Sequence, residues 1–149
     1  MSVTATQHIT NLLNGTIEVS KSMIPLKFQL GMPTTGADLD LAGEIGVMIG
    51  LEKDINGSLI LHGKETLFSQ FGQQMYGMPF EGEMLQSFIG EFGNIIAGNI
   101  ATHLSKLEIT IDITPPRVVT EASITDATKI VSVPLQFDSG QLKIVCAIY

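Results

Sequence analysis

The chain has 149 residues, 44 % of them hydrophobic, and a net charge of −7 at pH 7. That length suffices for one domain with a sizeable core, and the composition is too apolar for a disordered segment. Its eight Lys+Arg are scattered, which excludes the basic patch of a nucleic-acid binder, and its single cysteine excludes an internal disulfide framework or a cysteine-based zinc site.

Residues from about Thr4 to Met23 carry Ile9, Leu12, Leu13, Thr16 and Ile17 at helical spacing and predict an N-terminal helix, although Asn14-Gly15 within it are poor helix formers. Pro25 ends it. Leu26–Leu30 alternates like a strand, and Met32–Gly36 reads as a loop. Two strands follow, Leu39 to Leu51 and Gly57 to Leu61, with Asn56-Gly57 as a hairpin signal because both positions tolerate positive φ. The apolar run Ile45–Leu51, broken by Gly46 and Gly50, is far too short to cross a bilayer. Lys64 to Tyr76 is helical, with Leu67, Phe68, Phe71 and Met75 on one side, and Gly77-Met78-Pro79 breaks it. The longest helix runs from about Gly82 to Leu104. Leu107–Ile113 alternates strictly, as a half-buried strand does, and Pro115-Pro116 marks a turn. Lys129–Phe137 and Gln141–Tyr149 form an antiparallel pair, Pro134 pointing to an edge or a bulge. The sum is an α+β fold, helices packed on a mainly antiparallel sheet, in one domain spanning 1–149. The first residues lack the basic and apolar stretches of a signal peptide, so the expected location is the cytoplasm.

The Gly82–Leu104 helix carries the functional signal. At about 100° per residue, Leu85, Phe88, Ile89, Phe92, Ile95, Ile96 and Ile100 gather on one broad face, which is the buried one. Ser87, Glu91, Asn94 and Gly98 form an opposite stripe roughly 60° wide, flanked by Gly90, Ala97 and Ala101. Ordinary solvated helix faces are filled with Lys, Glu, Gln and Arg. Here Gly90, Gly93 and Gly98 each cost about 1 kcal/mol relative to alanine. Such bareness suggests close approach by a partner, or else tight packing of the helix within the chain or across a dimer. A mid-helix Asn gains nothing in propensity, so Asn94 needs another reason to be there.

The segment Gly90-Glu91-Phe92-Gly93-Asn94-Ile95-Ile96-Ala97-Gly98-Asn99-Ile100-Ala101-Thr102 resembles the signature helix of the CheC, CheX and FliY chemotaxis phosphatases. That signature places Glu and Asn three apart, with Asp or Ser four residues before the Glu, a position Ser87 fills. The helix occurs once, and with the chain length this makes the sequence most similar to CheX. The resemblance implies a CheC/CheX-like fold, a homodimer, and hydrolysis of the aspartyl-phosphate on a CheY-like response regulator in two-component signalling. Glu91 and Asn94 are then catalytic: Asn94 orients the attacking water and Glu91 pairs with a lysine of the receiver. Ser87, Gly90 and Gly98 contact the partner. No cofactor belongs to the chain itself, because Mg²⁺ arrives with the receiver. This fits the single arginine, Arg117, since a phosphate clamp cannot be built from it. The rival reading is a module that docks receivers or flagellar-switch proteins through the same face without turnover. A purely structural oligomerisation domain is more remote.

The remaining chemistry-bearing residues read as structural. His8, His62 and His103 lie in different elements without metal-ligand spacing, and His103 packs on the apolar side of the long helix. Asn99 is expected as a hydrogen-bonded structural amide, Arg117 as a solvated loop residue and Cys146 as a buried strand thiol. Met75, Met78 and Met84 are expected as core or helix-junction fillers. No G-x-x-x-x-G-K-[ST] or G-x-S-x-G element occurs, so nucleotide hydrolysis and serine-hydrolase chemistry lack their parts.

Overall fold

A computed structural model describes residues 4–36, 39–124, 127 and 129–149. Helix α1, Ala5–Met23, starts at a capping box. The Thr4 hydroxyl accepts from the Gln7 backbone N–H at 3.1 Å, and the Gln7 carboxamide accepts from the Thr4 N–H at 3.0 Å. It stops ahead of Pro25, where the Ile24 N–H donates to the Ser20 carbonyl. Helix α2, Glu65–Tyr76, ends on Gly77 in the left-handed region at φ 77°, a conformation glycine adopts without a Cβ clash. Helix α3, Gly82–Ser105, is the longest.

The strands are β1 (Gln29–Leu30), β2 (Thr34–Thr35), β3 (Ile45–Lys53), β4 (Gly57–Gly63), β5 (Ile111–Ile113), β6 (Arg117–Val119), β7 (Lys129–Phe137) and β8 (Gly140–Ile148). They make one sheet in the order β1-β7-β8-β4-β3-β5, with β2 also on β7 and β6 also on β3, and every pairing is antiparallel. Alternation sends Val47, Ile49, Leu59, Leu61, Val133, Ile144 and Cys146 to one face. There they form a continuous core with Leu12, Phe68, Phe71, Phe92 and Ile96 of the helices. Helix α1 lies over β7 and β8, while α3 lies over β3, β5 and β6 and packs along α1. This is the α+β layering expected from the residues.

The departures from expectation have local causes. Leu39–Glu44 does not extend β3. The Asp40 carboxylate accepts from the Ala42 N–H and Gly43 takes φ 74°, so this stretch turns, and Leu41 buries itself beside Gly46 on the sheet face away from the helices. Leu107–Thr110 is likewise not strand. The N–H groups of Leu107 and Ile109 both go to the Leu104 carbonyl and Glu108 adopts φ 62°, so these residues end α3 and only Ile111–Ile113 pairs. Leu26–Leu30 shrinks to β1, and the loop Met32–Gly36 contains β2. Arg117, expected in a loop, begins β6 opposite Met48, with its guanidinium 3.6 Å from the Met48 sulfur.

Gly57 is in strand without positive φ; the positive φ of that turn falls on Lys53, at 81°. Glycine is needed at 57 because a Cβ there would overlap the Ala147 carbonyl of β8. Pro134 does not lie on an edge. It falls in the gap between β1 and β2, where its carbonyl accepts from the Gly31 N–H at 2.8 Å. Nor do the C-terminal strands offer a free edge to a second copy: β8 sits between β7 and β4, and β7 between β8 and β1/β2.

Candidate active site

What points outward on α3 is decided by what holds its other side down. Phe92 is 1 % exposed and sits among Phe68, Phe71 and Phe88, its ring centroid 5.2 Å from that of Phe71 in a stacked arrangement. One residue on, Gly93 lies so close to β3 that a Cβ would stand 2.6 and 2.8 Å from the two Val47 methyl carbons. This glycine lets helix and sheet approach. Phe92 and Gly93 therefore fix both the roll and the height of α3 on the sheet.

With that roll, Ser87, Glu91 and Asn94 are all exposed. Glu91 and Asn94 are one helical turn apart, and neither side chain hydrogen-bonds to another described residue. Gly98 continues the stripe, with nothing within 4 Å of where a Cβ would be. Gly90 is half-buried, and a Cβ there would meet only a Val118 methyl at an ordinary 3.6 Å. Of the helix glycines, Gly93 answers to packing within the chain, whereas Gly98 answers to no described residue. Ala97 does not flank the stripe as expected. It is 1 % exposed and belongs to the core, one turn on from Gly93 and on the same sheet-facing side of α3. Ile95, expected among the buried residues, is half-exposed at the margin nearest the stripe.

The secondary candidates separate cleanly. The Asn99 amide donates to the Ile95 carbonyl at 2.8 Å and is a structural group. His103 is half-buried against Gly15 of α1, where a Cβ would meet its ring at 3.1 Å. This contact explains the glycine inside α1. His62 is buried on the far face of the sheet, its Nδ1 2.6 Å from the Glu44 carboxylate. Cys146 is buried in β8 with its sulfur 3.7 Å from the Thr16 hydroxyl, and burial pushes its thiol up to about 12, the Thr16 contact pulling slightly the other way. Val118 turns toward α3 and Arg117 therefore toward the opposite face, away from Glu91 and Asn94. Among the described residues no group of three or more His, Cys, Asp or Glu could hold a metal, and no helix is long and apolar enough to cross a membrane.

The methionines depart from expectation. Met75 packs on the core, but Met78 and Met84 are 48 % and 56 % exposed. Together with Tyr76 and Phe80 they surround the start of α3, a feature the sequence reading passed over. Its signal was the aromatic pair bracketing the Gly77-Met78-Pro79 break.

A lone exposed Glu and Asn would be ordinary surface. Here they stand in a stripe that leads into a bare glycine, on a helix whose thirteen-residue sequence is distinctive. The family model for the chemotaxis phosphatase CheX matches residues 45–137, which include the whole of α3. The chain belongs to the CheX family. The "CheY-P phosphatase CheX" of Thermotoga maritima is 34 % identical over 115 residues, 74 % of each chain. Among solved structures, the CheX–CheY–BeF3–Mg²⁺ complex from Borrelia burgdorferi matches with TM-score 0.75 and 25 % identity, over 94 % of this chain and 96 % of that one. A CheC-like chemotactic protein from Shewanella oneidensis matches with TM-score 0.79 and 22 % identity, over 95 % and 97 %. The latter shares the fold, and the CheC/CheX-like architecture expected from α3 is the one found.

Proposed function

We propose that this chain is a phosphatase that hydrolyses the aspartyl-phosphate of a CheY-like response regulator in chemotaxis or a related two-component pathway. The observation that carries the reading is the outward pair on α3: Glu91 and Asn94, exposed, one turn apart, on a helix pinned from below by Phe92 and Gly93. The Thermotoga relative is named for this activity, and the Borrelia complex holds a CheX together with CheY.

The division of labour follows from charge. The chain brings one arginine, on the wrong face, so the phosphoryl charge must be met by the substrate. In this reading Mg²⁺ and a lysine belong to the receiver, and Mg²⁺ neutralises charge on the phosphoryl oxygens. What the phosphatase adds is position. The Asn94 carboxamide donates to and accepts from one water at once and aims it in line at phosphorus. The water oxygen bonds to phosphorus, the bond from phosphorus to the aspartate oxygen breaks, and the aspartate leaves as carboxylate. The water proton leaves with inorganic phosphate or solvent. Glu91 pairs with the receiver lysine and sets the register in which Asn94 reaches the phosphoryl group. Ser87, Gly90 and Gly98 line the contact with the partner; of these, Gly98 is the barest and the best suited to backbone approach.

The reading includes action in the cytoplasm, the whole of 1–149 as one unit, and a homodimer. A dimer formed by extending the sheet would have to use an edge other than β7 or β8, both of which have strands on either side. The test is the decay of a phosphorylated CheY receiver with and without substoichiometric amounts of the purified chain. Accelerated loss of phosphate supports the reading. Unchanged decay with demonstrable binding replaces it with a docking module.

A further inference from the structure

The start of α3 holds an apolar groove that the hydrolytic step does not use. Tyr76, Phe80, Met84 and Phe88 line a hollow of about 520 Å³, and Glu83 stands on its rim. Ser87 and Glu91 line it as well, so the groove opens directly into the catalytic stripe.

The floor is built rather than accidental. The Phe80 ring stacks on Phe88 with centroids 5.4 Å apart, and Tyr76 meets both edge-on at 5.8 and 6.1 Å. The Phe80 carbonyl accepts from the Ser69 hydroxyl at 3.2 Å. Gly72 of α2 has to be glycine, because a Cβ would overlap the Phe80 ring. These contacts pin the loop between α2 and α3 to both helices while Tyr76 and Met84 remain 51 % and 56 % exposed. The charge is one-sided: Glu83 and Glu91 line the groove, Glu81 is exposed beside it, and none of the three forms an ion pair among the described residues.

An aromatic and thioether floor under a carboxylate rim fits a lysine or arginine side chain. The stem lies on the apolar surface, the cationic head reaches Glu83, Glu91 being engaged by the receiver's own lysine, and methionine adapts to the shape. We propose that this groove is a second docking point for the same receiver, which seats there a basic side chain from the surface flanking its phosphorylated pocket. The proposal rests on the phosphatase reading for its choice of occupant. Because Ser87 and Glu91 belong to both surfaces, a receiver that brings its phosphoryl group to Asn94 covers the groove with an adjacent part of itself. The groove then sets affinity and the choice among receivers, while Asn94 sets the rate of the chemical step.

The experiment measures binding and turnover separately, using a CheY receiver from the same organism, loaded with beryllofluoride and Mg²⁺ for binding and phosphorylated for turnover. Glu83 and Met84 are exposed, so the double variant Glu83→Lys/Met84→Ser should keep its fold, checked by an unchanged thermal midpoint. Glu83→Lys alone serves if the double variant unfolds. The expected result is a rise of about tenfold or more in Kd and KM with kcat within twofold of the parent. Raising salt should weaken the parent more than the variant. Asn94→Ala should do the opposite, losing kcat with Kd unchanged. An unchanged Kd and KM in the groove variant overturns the second docking point and leaves the phosphatase reading standing. A parent chain without phosphatase activity overturns that reading instead, and the Kd comparison still decides the groove: equal values, or no binding by either, reject it.

Discussion

Replacing Gly98 and Gly93 by alanine, one at a time, should move stability in opposite directions although the two lie five residues apart in one helix. Either change gains about 1 kcal/mol of helix propensity. At Gly98 nothing lies within 4 Å of the new methyl group, so the gain survives whole. For a chain of this length that is a rise of roughly 3 °C in Tm. At Gly93 the methyl would stand 2.6 and 2.8 Å from the Val47 methyl carbons, in a stiff β-branched side chain that is fully buried in β3. Overpacking of that kind costs about 1–3 kcal/mol, and contacts this short against a side chain that cannot turn away belong at the upper end, which leaves a net loss of about 2 kcal/mol. Urea unfolding followed by far-ultraviolet circular dichroism reads both. A destabilised Gly98→Ala, or a Gly93→Ala as stable as the parent, would refute the placement of α3 on the sheet. Turnover adds a second arm. If Gly98 is bare so that a partner backbone can approach, Gly98→Ala should be the more stable protein and the poorer phosphatase, by about tenfold. Greater stability with full activity would remove Gly98 from the docking surface.

Two further outcomes follow from groups on the far side of the core. The Cys146 thiol is raised from 9.0 to about 12 by burial, so the folded chain keeps it neutral where the unfolded chain ionises it. Its contribution to stability is complete below about pH 9 and is lost by about 1 kcal/mol per pH unit as pH rises toward 12. The difference in urea midpoint between the parent and Cys146→Ala should therefore narrow over that range, and native protein should resist iodoacetamide at pH 8.5; rapid native labelling would contradict the burial. Glu44→Ala removes the hydrogen-bond partner of the buried His62 ring, whose Nε2 has none among the described residues, and should cost about 1–3 kcal/mol in urea while leaving turnover intact. An unchanged midpoint would show that this pair does not hold Leu39–Glu44 against the sheet.

The helices and the outward stripe of α3 were legible in the residues because each rests on a short-range rule. Apolar positions every three or four residues define α1, α2 and α3, and Pro25 and Gly77-Met78-Pro79 stop the first two. The same periodicity turns Ser87, Glu91 and Asn94 outward. What could not be read depends on specific hydrogen bonds and close contacts that the pattern of residue types does not carry. Alternation in Leu107–Thr110 looks like strand, yet the Leu104 carbonyl takes two of those N–H groups to close a helix. Gly57 looks like a turn glycine, yet its reason is the Ala147 carbonyl ninety residues away in sequence. Ala97 reads as a bare surface residue until Gly93, one turn before it, is seen to face β3.

The most direct test of the central claim is dephosphorylation of a CheY receiver by the Asn94→Ala variant at saturating receiver concentration, with circular dichroism run on the same sample. Since the carboxamide is exposed and bonded to no other described residue, the account predicts an unchanged spectrum and a loss of about 10²–10³ in rate. A variant that folds normally and still removes phosphate at the parent rate would contradict it.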